Sequence, residues 1–426
     1  MDNQALTAII IVGCTCLLYV LEIFPVAVTT LLGLLAMIFA GVLPVAEAFS
    51  GFASTPVMLV IGMVIIIDAL LACGVAGKIG TVLAKAVGKS EKQFVIVVFL
   101  LAAGLSMFMT NASLVAMFMP FIASVAAASG GKITKKNTYL TLAAGGLIGG
   151  TGSLAGSTAP LLANNVLEAV GAKTMSFFEP FPIAFAIVAV LVLCYFLFFY
   201  KLQVKCFDFE EVKDDADENV NDIPINKKKA VISVSVFLIC IVLFIVQPFG
   251  WDLGLIAISG ALILVITKCV DGKKALRNMF WPALITLGAA LGIAKGFVNS
   301  GVGEVIIQWL INLLGEGVAN PVLLMTIFLL SGYVLSLFMS NGSLVSMLAA
   351  VAVPMAVEIG CDPMPLAMAC VFGASLAMAT PAATTSVTMV QVAGYRFKDY
   401  LRIGGLIGVI GLVTAWAAIV LIYGLF

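Results

Sequence analysis

The chain has 426 residues, 62% of them hydrophobic and only 10% charged, with a mean hydropathy of +1.19, far outside the balance of soluble globular proteins. Its formal charge is zero and its sequence pI about 6.3, so no basic surface invites nucleic acid. The chain lacks a Walker loop, a dinucleotide fingerprint, zinc spacing and any histidine, which argues against an ATP-driven pump and a metalloenzyme, and no nucleophile–base pair suggests an enzyme of another kind. What remains is an all-α polytopic protein bathed in membrane lipid, its nine cysteines read as small buried hydrophobes.

In chain order, apolar runs near spanning length fall at 5–21, 25–41, 54–73, 138–168, 181–200, 230–247, 251–269, 281–300, 363–395 and 399–425. The first follows Asp2 with no basic segment, so it reads as a retained span. Two further regions, 94–129 and 321–358, each hold a pair of apolar arms around a polar knot. The knots are near copies 230 positions apart: Ser106-Met-Phe-Met-Thr110-Asn111-Ala112-Ser113-Leu-Val and Ser336-Leu-Phe-Met-Ser340-Asn341-Gly342-Ser343-Leu-Val. Hydroxyls and amides at membrane depth are costly unless they line a cavity, bind a solute or glue helices together. Helix packing alone leaves the duplication unaccounted for.

Counting basic residues by side fixes the orientation. Lys78, Lys85, Lys89, Lys92, Lys132, Lys135, Lys136, Lys201, Lys205, Lys213, Lys227 to Lys229, Lys268, Lys273, Lys274, Arg277, Arg396, Lys398 and Arg402 collect on one face, while the other receives only Lys173. The rich face is cytoplasmic, which places both termini outside a cell membrane. An odd number of crossings per half then makes residues 1–200 and 230–426 inverted repeats, joined by a solvated cytoplasmic linker at 201–229.

Each arm runs about 15 residues to its knot, or roughly 22 Å as helix, which favours re-entrant hairpins, with two short full crossings as the alternative. At such a tip one helix ends in free carbonyls and the next begins with free N–H groups, suiting a cation and an anion side by side. Opposite the tips, Gly145-Gly146-Leu-Ile-Gly149-Gly150-Thr151-Gly152-Ser153-Leu-Ala-Gly156-Ser157-Thr158-Ala-Pro160 and Ala379-Thr380-Pro381-Ala-Ala-Thr384-Thr385-Ser386 are expected to break the spans 138–168 and 363–395. Glycines at these positions also serve close helix packing. The region carries no charged side chain, so asparagine and hydroxyl oxygens would hold sodium, and the bound ions would supply the field for an anion. Two charges stay inside spans, Asp68 and Lys295, at equivalent repeat positions; Lys295 is expected to snorkel, and Asp68 is the one candidate proton carrier.

With the paired tips, the broken helices and Gly394-Tyr395-Arg396-Phe397-Lys398-Asp399-Tyr400 in view, nearly the whole chain resembles the divalent anion:sodium symporter family of dicarboxylate, citrate and sulfate carriers. The resemblance implies a homodimer in which a transport domain moves against a scaffold as an elevator. It implies one sodium site from Ser106, Thr110, Asn111 and the Gly156 backbone, and a second from Ser336, Ser340, Asn341 and the Ala379 backbone. Substrate carboxylates would meet Asn111, Asn341, Ser157, Thr380 and Pro381. The family's tip threonine is replaced here by Ala112 and Gly342, and Ser113 and Ser343 stand one residue later to supply hydroxyls. The expected function is sodium-coupled uptake of a small di- or tricarboxylate. The alternatives are a sodium/proton antiporter using Asp68, an anion exchanger on the same scaffold, and an anion channel.

Overall fold

A computed structural model describes residues 3–21, 23–73, 90–129, 131–209, 227–246, 248–277, 279, 281–300, 320–337, 341–380 and 384–425, and among these the regular structure is entirely helical. Helices suit this sequence because each satisfies its own backbone hydrogen bonds, which lipid cannot do. The first half contains α1 (Asn3–Leu21), α2 (Val26–Phe39), α3 (Val45–Ser50), α4 (Thr55–Ala72), α5 (Glu91–Ser106), α6 (Asn111–Ala128), α7 (Lys135–Gly150), α8 (Thr158–Ala169) and α9 (Phe181–Cys206). The second contains α10 (Lys227–Val246), α11 (Leu253–Ile266), α12 (Gly272–Arg277), α13 (Trp281–Asn299), α14 (Pro321–Ser336), α15 (Asn341–Ile359), α16 (Met364–Ser375), α17 (Thr385–Met389) and α18 (Phe397–Ile422). Among the described residues five stretches are long and apolar enough to cross a membrane: Val45–Leu70, α9, α10, α15 and α18. Two of the expected spans are not single helices. Residues 151–157 separate α7 from α8, and the described residues between α16 and α17, 376–380 and 384, are likewise non-helical.

The packing pattern recurs between halves. Helix α5 lies along α7 as α14 lies along α16, α6 and α15 pack on the same partners as their first arms, and α2 on α13 matches α4 on α11. Close approach explains several glycines. A Cβ on Gly145 would stand 2.5 Å from the Phe99 carbonyl oxygen, and one on Gly373 would stand 2.5 Å from that of Leu329, so α5 and α14 press backbone to backbone on their neighbours.

These contacts divide the helices into two groups. One comprises α1–α4 with α10–α13, the other α5–α9 with α14–α18, and the chief contact between them is α8 against α13. There Asn165, buried in α8, donates from Nδ2 to the Leu287 carbonyl at 3.1 Å. Phe237 and Phe244 of α10 add ring contacts to Phe108 (5.2 Å) and Phe177 (4.4 Å).

Segments that the charge count assigns to one face do meet at one end. The Glu91 carboxylate accepts from Thr134 N (2.8 Å), Thr134 Oγ1 (2.6 Å) and Tyr200 Oη (2.6 Å), and Arg396 and Lys398 reach Asp208 at 4.0 and 3.8 Å. At the other end Lys295 Nζ donates to Ser50 Oγ at 3.0 Å and Asn299 Nδ2 to Glu47 at 3.2 Å. The half-buried Lys295 thus lies near a helix end beside a hydroxyl, and Asp68 is half-buried one turn from the end of α4. Most of the linker 201–229 and the lysines at 78, 85 and 89 lie outside the described residues.

Candidate ion and anion site

Each hairpin tip is built by the same local bond. The first arm, 16 residues in both α5 and α14, ends on a serine with no exposed surface. Ser106 Oγ donates to Asn111 Oδ1 at 2.7 Å, and Ser336 Oγ donates to Asn341 Oδ1 at 2.9 Å. Both asparagines open the second arm, so the contact closes the turn; in the first half, where Asn111 is the acceptor for the Ser106 proton, it also fixes the amide, with Oδ1 facing the serine and Nδ2, with no partner among the described residues, left to donate. Thr110 caps α6, accepting from Ser113 N at 3.3 Å while its own hydroxyl donates to Ser113 Oγ at 2.7 Å. Ser113 is exposed and its proton is uncommitted; Ser343, at the matching place, is 2% exposed.

The broken segments close around these tips. A Cβ on Gly150 would stand 2.2 Å from Asn111 Oδ1 and 3.1 Å from Ser106 Oγ, and one on Gly156 would stand 2.2 Å from the Ser106 carbonyl oxygen and 2.6 Å from that of Gly150. Only glycine at 150 and 156 leaves room beside these uncharged oxygens of α5, α6 and α7. Such a set fits a hard alkali cation, which takes oxygen ligands, and no group of three His, Cys, Asp or Glu among the described residues offers an alternative metal centre. In the second half Ser336 Oγ also contacts the Ala374 carbonyl, and Ala379 is buried beside the break.

The anion side is built from helix starts. Ser157 caps α8, accepting from Ala159 N at 3.3 Å and keeping its proton free, and Gly342 at the start of α15 faces Thr158, where a Cβ would stand 3.6 Å from Thr158 Oγ1. Helix α6 packs on α17 in the same manner. By capping role the counterpart of Ser157 is Thr384, which accepts from Val387 N at the start of α17. Thr380 matches Ser153 instead: Thr380 Oγ1 donates to the Leu337 carbonyl at 2.8 Å, and Ser153 Oγ donates to the Met107 carbonyl. Sequence reasoning assigned no role to Ser153 or Thr384; their signal was an equal spacing of 227 from Ser153 to Thr380 and from Ser157 to Thr384. Ser340 and Pro381 lie outside the described residues.

A family model described as citrate transporter matches residues 16–373. The chain belongs to the citrate transporter family. It is 35% identical to the uncharacterized transporter YfbS of Escherichia coli (strain K12) over 164 residues, 38% of this chain and 26% of that protein. Over 99% of its length it is 24% identical to an uncharacterized transporter of Methanocaldococcus jannaschii, covering 93% of it. It is also 24% identical to the sodium-dependent dicarboxylate transporter SdcS of Staphylococcus saprophyticus, over 86% of this chain and 76% of that one, in keeping with the divalent anion:sodium symporter family. The Alcanivorax borkumensis YdaH transporter shares the fold, with a TM-score of 0.64 at 15% identity over 89% of this chain and 87% of that one. This chain is therefore a membrane transporter built of apolar helices.

Proposed function

We propose that this citrate-transporter family member is a secondary carrier that couples sodium to the uptake of a small di- or tricarboxylate. The observation that carries the reading is the serine–asparagine bond repeated at both tips, beside glycines that admit converging oxygens. The carbonyl ends of α5, α7, α14 and α16 supply partial negative charge for sodium, held in one half by Ser106, Asn111 and the Gly156 backbone and in the other by Ser336, Asn341 and the Ala379 backbone. The N-terminal ends of α6, α8 and α15 supply partial positive charge, each roughly 0.3–2 kcal/mol, to carboxylates that also take protons from Asn111 Nδ2, Asn341 Nδ2, Ser113 and Ser157. Bound sodium would complete the field that neutral donors alone leave weak.

The two packing groups support an elevator. Helices α5–α9 with α14–α18 form the moving body and α1–α4 with α10–α13 the scaffold, the chain being two inverted repeats within a homodimer of the cell membrane, termini outside. Movement must then break the Asn165–Leu287 bond and slide α8 along α13. A tenfold sodium gradient provides about 1.4 kcal/mol per ion, so two ions per anion support appreciable accumulation.

The test is uptake of labelled succinate, malate, citrate and sulfate into proteoliposomes under an inward sodium gradient. Uptake of at least one should saturate and collapse when choline replaces sodium. Sodium-independent uptake of every anion, or none at all, would overturn the reading.

A further inference from the structure

The hydroxyls of Ser153 and Thr380 do something the ligand sets above do not require. Ser153, fully buried, donates to the carbonyl of Met107, the residue directly after the tip serine Ser106, and its oxygen also accepts from Ala155 N at 3.2 Å and Gly156 N at 3.3 Å. Thr380 donates to the carbonyl of Leu337, the residue directly after Ser336, at 2.8 Å. In both halves, therefore, a hydroxyl of the non-helical segment holds the first carbonyl beyond the hairpin's first arm. That carbonyl is among those a helix end leaves without an internal partner. The tie satisfies it, and it also sets the distance between the tip oxygens and the broken segment. For Ser153 the coupling is direct, because the same oxygen grips the amide of Gly156, whose Cα faces the Ser106 carbonyl.

We propose that Ser153 and Thr380 are positioning residues that hold each hairpin tip to its broken helix, so that both ion sites keep their geometry, and that Thr380 is no donor to substrate. The second part follows from proton count. A threonine has one hydroxyl proton, and that of Thr380 is spent on Leu337, leaving only lone pairs, which a carboxylate repels. The inference rests on the sodium-coupled reading and refines it: the expected carboxylate contact of Thr380 gives way to a structural bond that sodium affinity feels.

The experiment measures, for Ser153→Ala, Thr380→Val and Thr380→Ser in proteoliposomes, the sodium concentration for half-maximal uptake of the best substrate and, separately, its KM at saturating sodium. Thr380→Val keeps the side-chain shape and removes only the hydroxyl. Ser153→Ala and Thr380→Val should raise the half-saturating sodium concentration about tenfold, as befits a lost tie and an orphaned carbonyl, with KM changed less than about twofold, and Thr380→Ser should return to wild type. Sodium-dependent thermal stabilisation of the detergent-purified variants gives a second readout, and the midpoint of that sodium titration should shift the same way. A raised KM with unchanged sodium dependence would make Thr380 a substrate donor and overturn the proposal. Wild-type sodium dependence in both variants would overturn it too, while leaving sodium coupling intact. A wild-type protein indifferent to sodium would instead remove the function on which it rests.

Discussion

The two hairpins repeat their tip bonds and their packing partners and differ at their bases. At the tips the bonds repeat: serine to asparagine, and a hydroxyl of the broken segment to the next carbonyl. At the base they diverge. Glu91 clamps the start of α5 to α7 and α9 through four side chains and backbone groups, whereas Asn320 merely caps α14, accepting from Val322 N and Leu323 N at 3.0 and 3.2 Å. Helix α14 is steadied along its length instead, by Trp416 Nε1 on Thr326 Oγ1 at 2.8 Å and Tyr333 Oη on the Gly405 carbonyl at 3.4 Å. Ser113 at the first tip is exposed, whereas its counterpart Ser343 is buried. The serine–asparagine bond is thus duplicated, while the anchoring of the hairpin bases is not.

The sharpest way to break that comparison is to remove the duplicated element one copy at a time. Asn111→Ala and Asn341→Ala should each lower sodium-driven uptake kcat/KM by about 100-fold or more, since each deletes a proposed ion ligand, and Asn111→Ala also takes the acceptor from the buried Ser106 hydroxyl. Radiotracer uptake checks this, and near-wild-type activity in one variant would mean that only one tip works. Next in size is a contrast between adjacent glycines. A Cβ on Gly149 would lie 2.0 Å from the Ala103 carbonyl oxygen, whereas on Gly150 it meets the Asn111 oxygen. Both substitutions should cost about 1–3 kcal/mol of overpacking, but Gly149→Ala should express this as a lower melting temperature, and Gly150→Ala as weakened sodium dependence.

That contrast also shows what the sequence could and could not reveal. The polar knots, their duplication and the helix breaks were legible because hydroxyls, glycines and proline stand out against apolar surroundings. The glycines of this run meet different neighbours: Gly145 and Gly149 press on the backbone of α5, Gly150 meets the Asn111 amide oxygen, and Gly156 meets the Ser106 and Gly150 carbonyls. No spacing rule separates them, because adjacent glycines in one helix differ only in which neighbour they meet. The pairing of Thr380 with Ser153 was easy to miss because the tips repeat at a spacing of 230 and this pair at 227. The clamp at Glu91 was invisible because its partners come from positions 134, 137 and 200, brought together only by folding.

The clamp itself provides a smaller effect. Glu91→Gln places an NH2 among donors that need an acceptor, which should cost about 2 kcal/mol, while Asn320→Ala should cost about 1 kcal/mol as a lost helix cap. Thermal unfolding of the purified protein should rank the two in that order, and sodium half-saturation should move in neither. Equal losses would mean that the bases are anchored alike, and the asymmetry between hairpins would shrink to their tips.

The smallest expected effect probes that remaining tip asymmetry. Ser113 Oγ already accepts from Thr110 and keeps its own proton on an exposed face, so Ser113→Ala removes one neutral donor from the anion and should raise substrate KM about fivefold. Ser343 is buried and faces protein, so Ser343→Ala should leave KM within about twofold and register instead as a modest loss of stability. Sodium half-saturation should stay unchanged in both variants, since neither hydroxyl belongs to the repeated serine–asparagine bond. If KM rises equally in the two, the second tip reaches substrate through Ser343 after all, and the anion, like the cation, is held by a duplicated device.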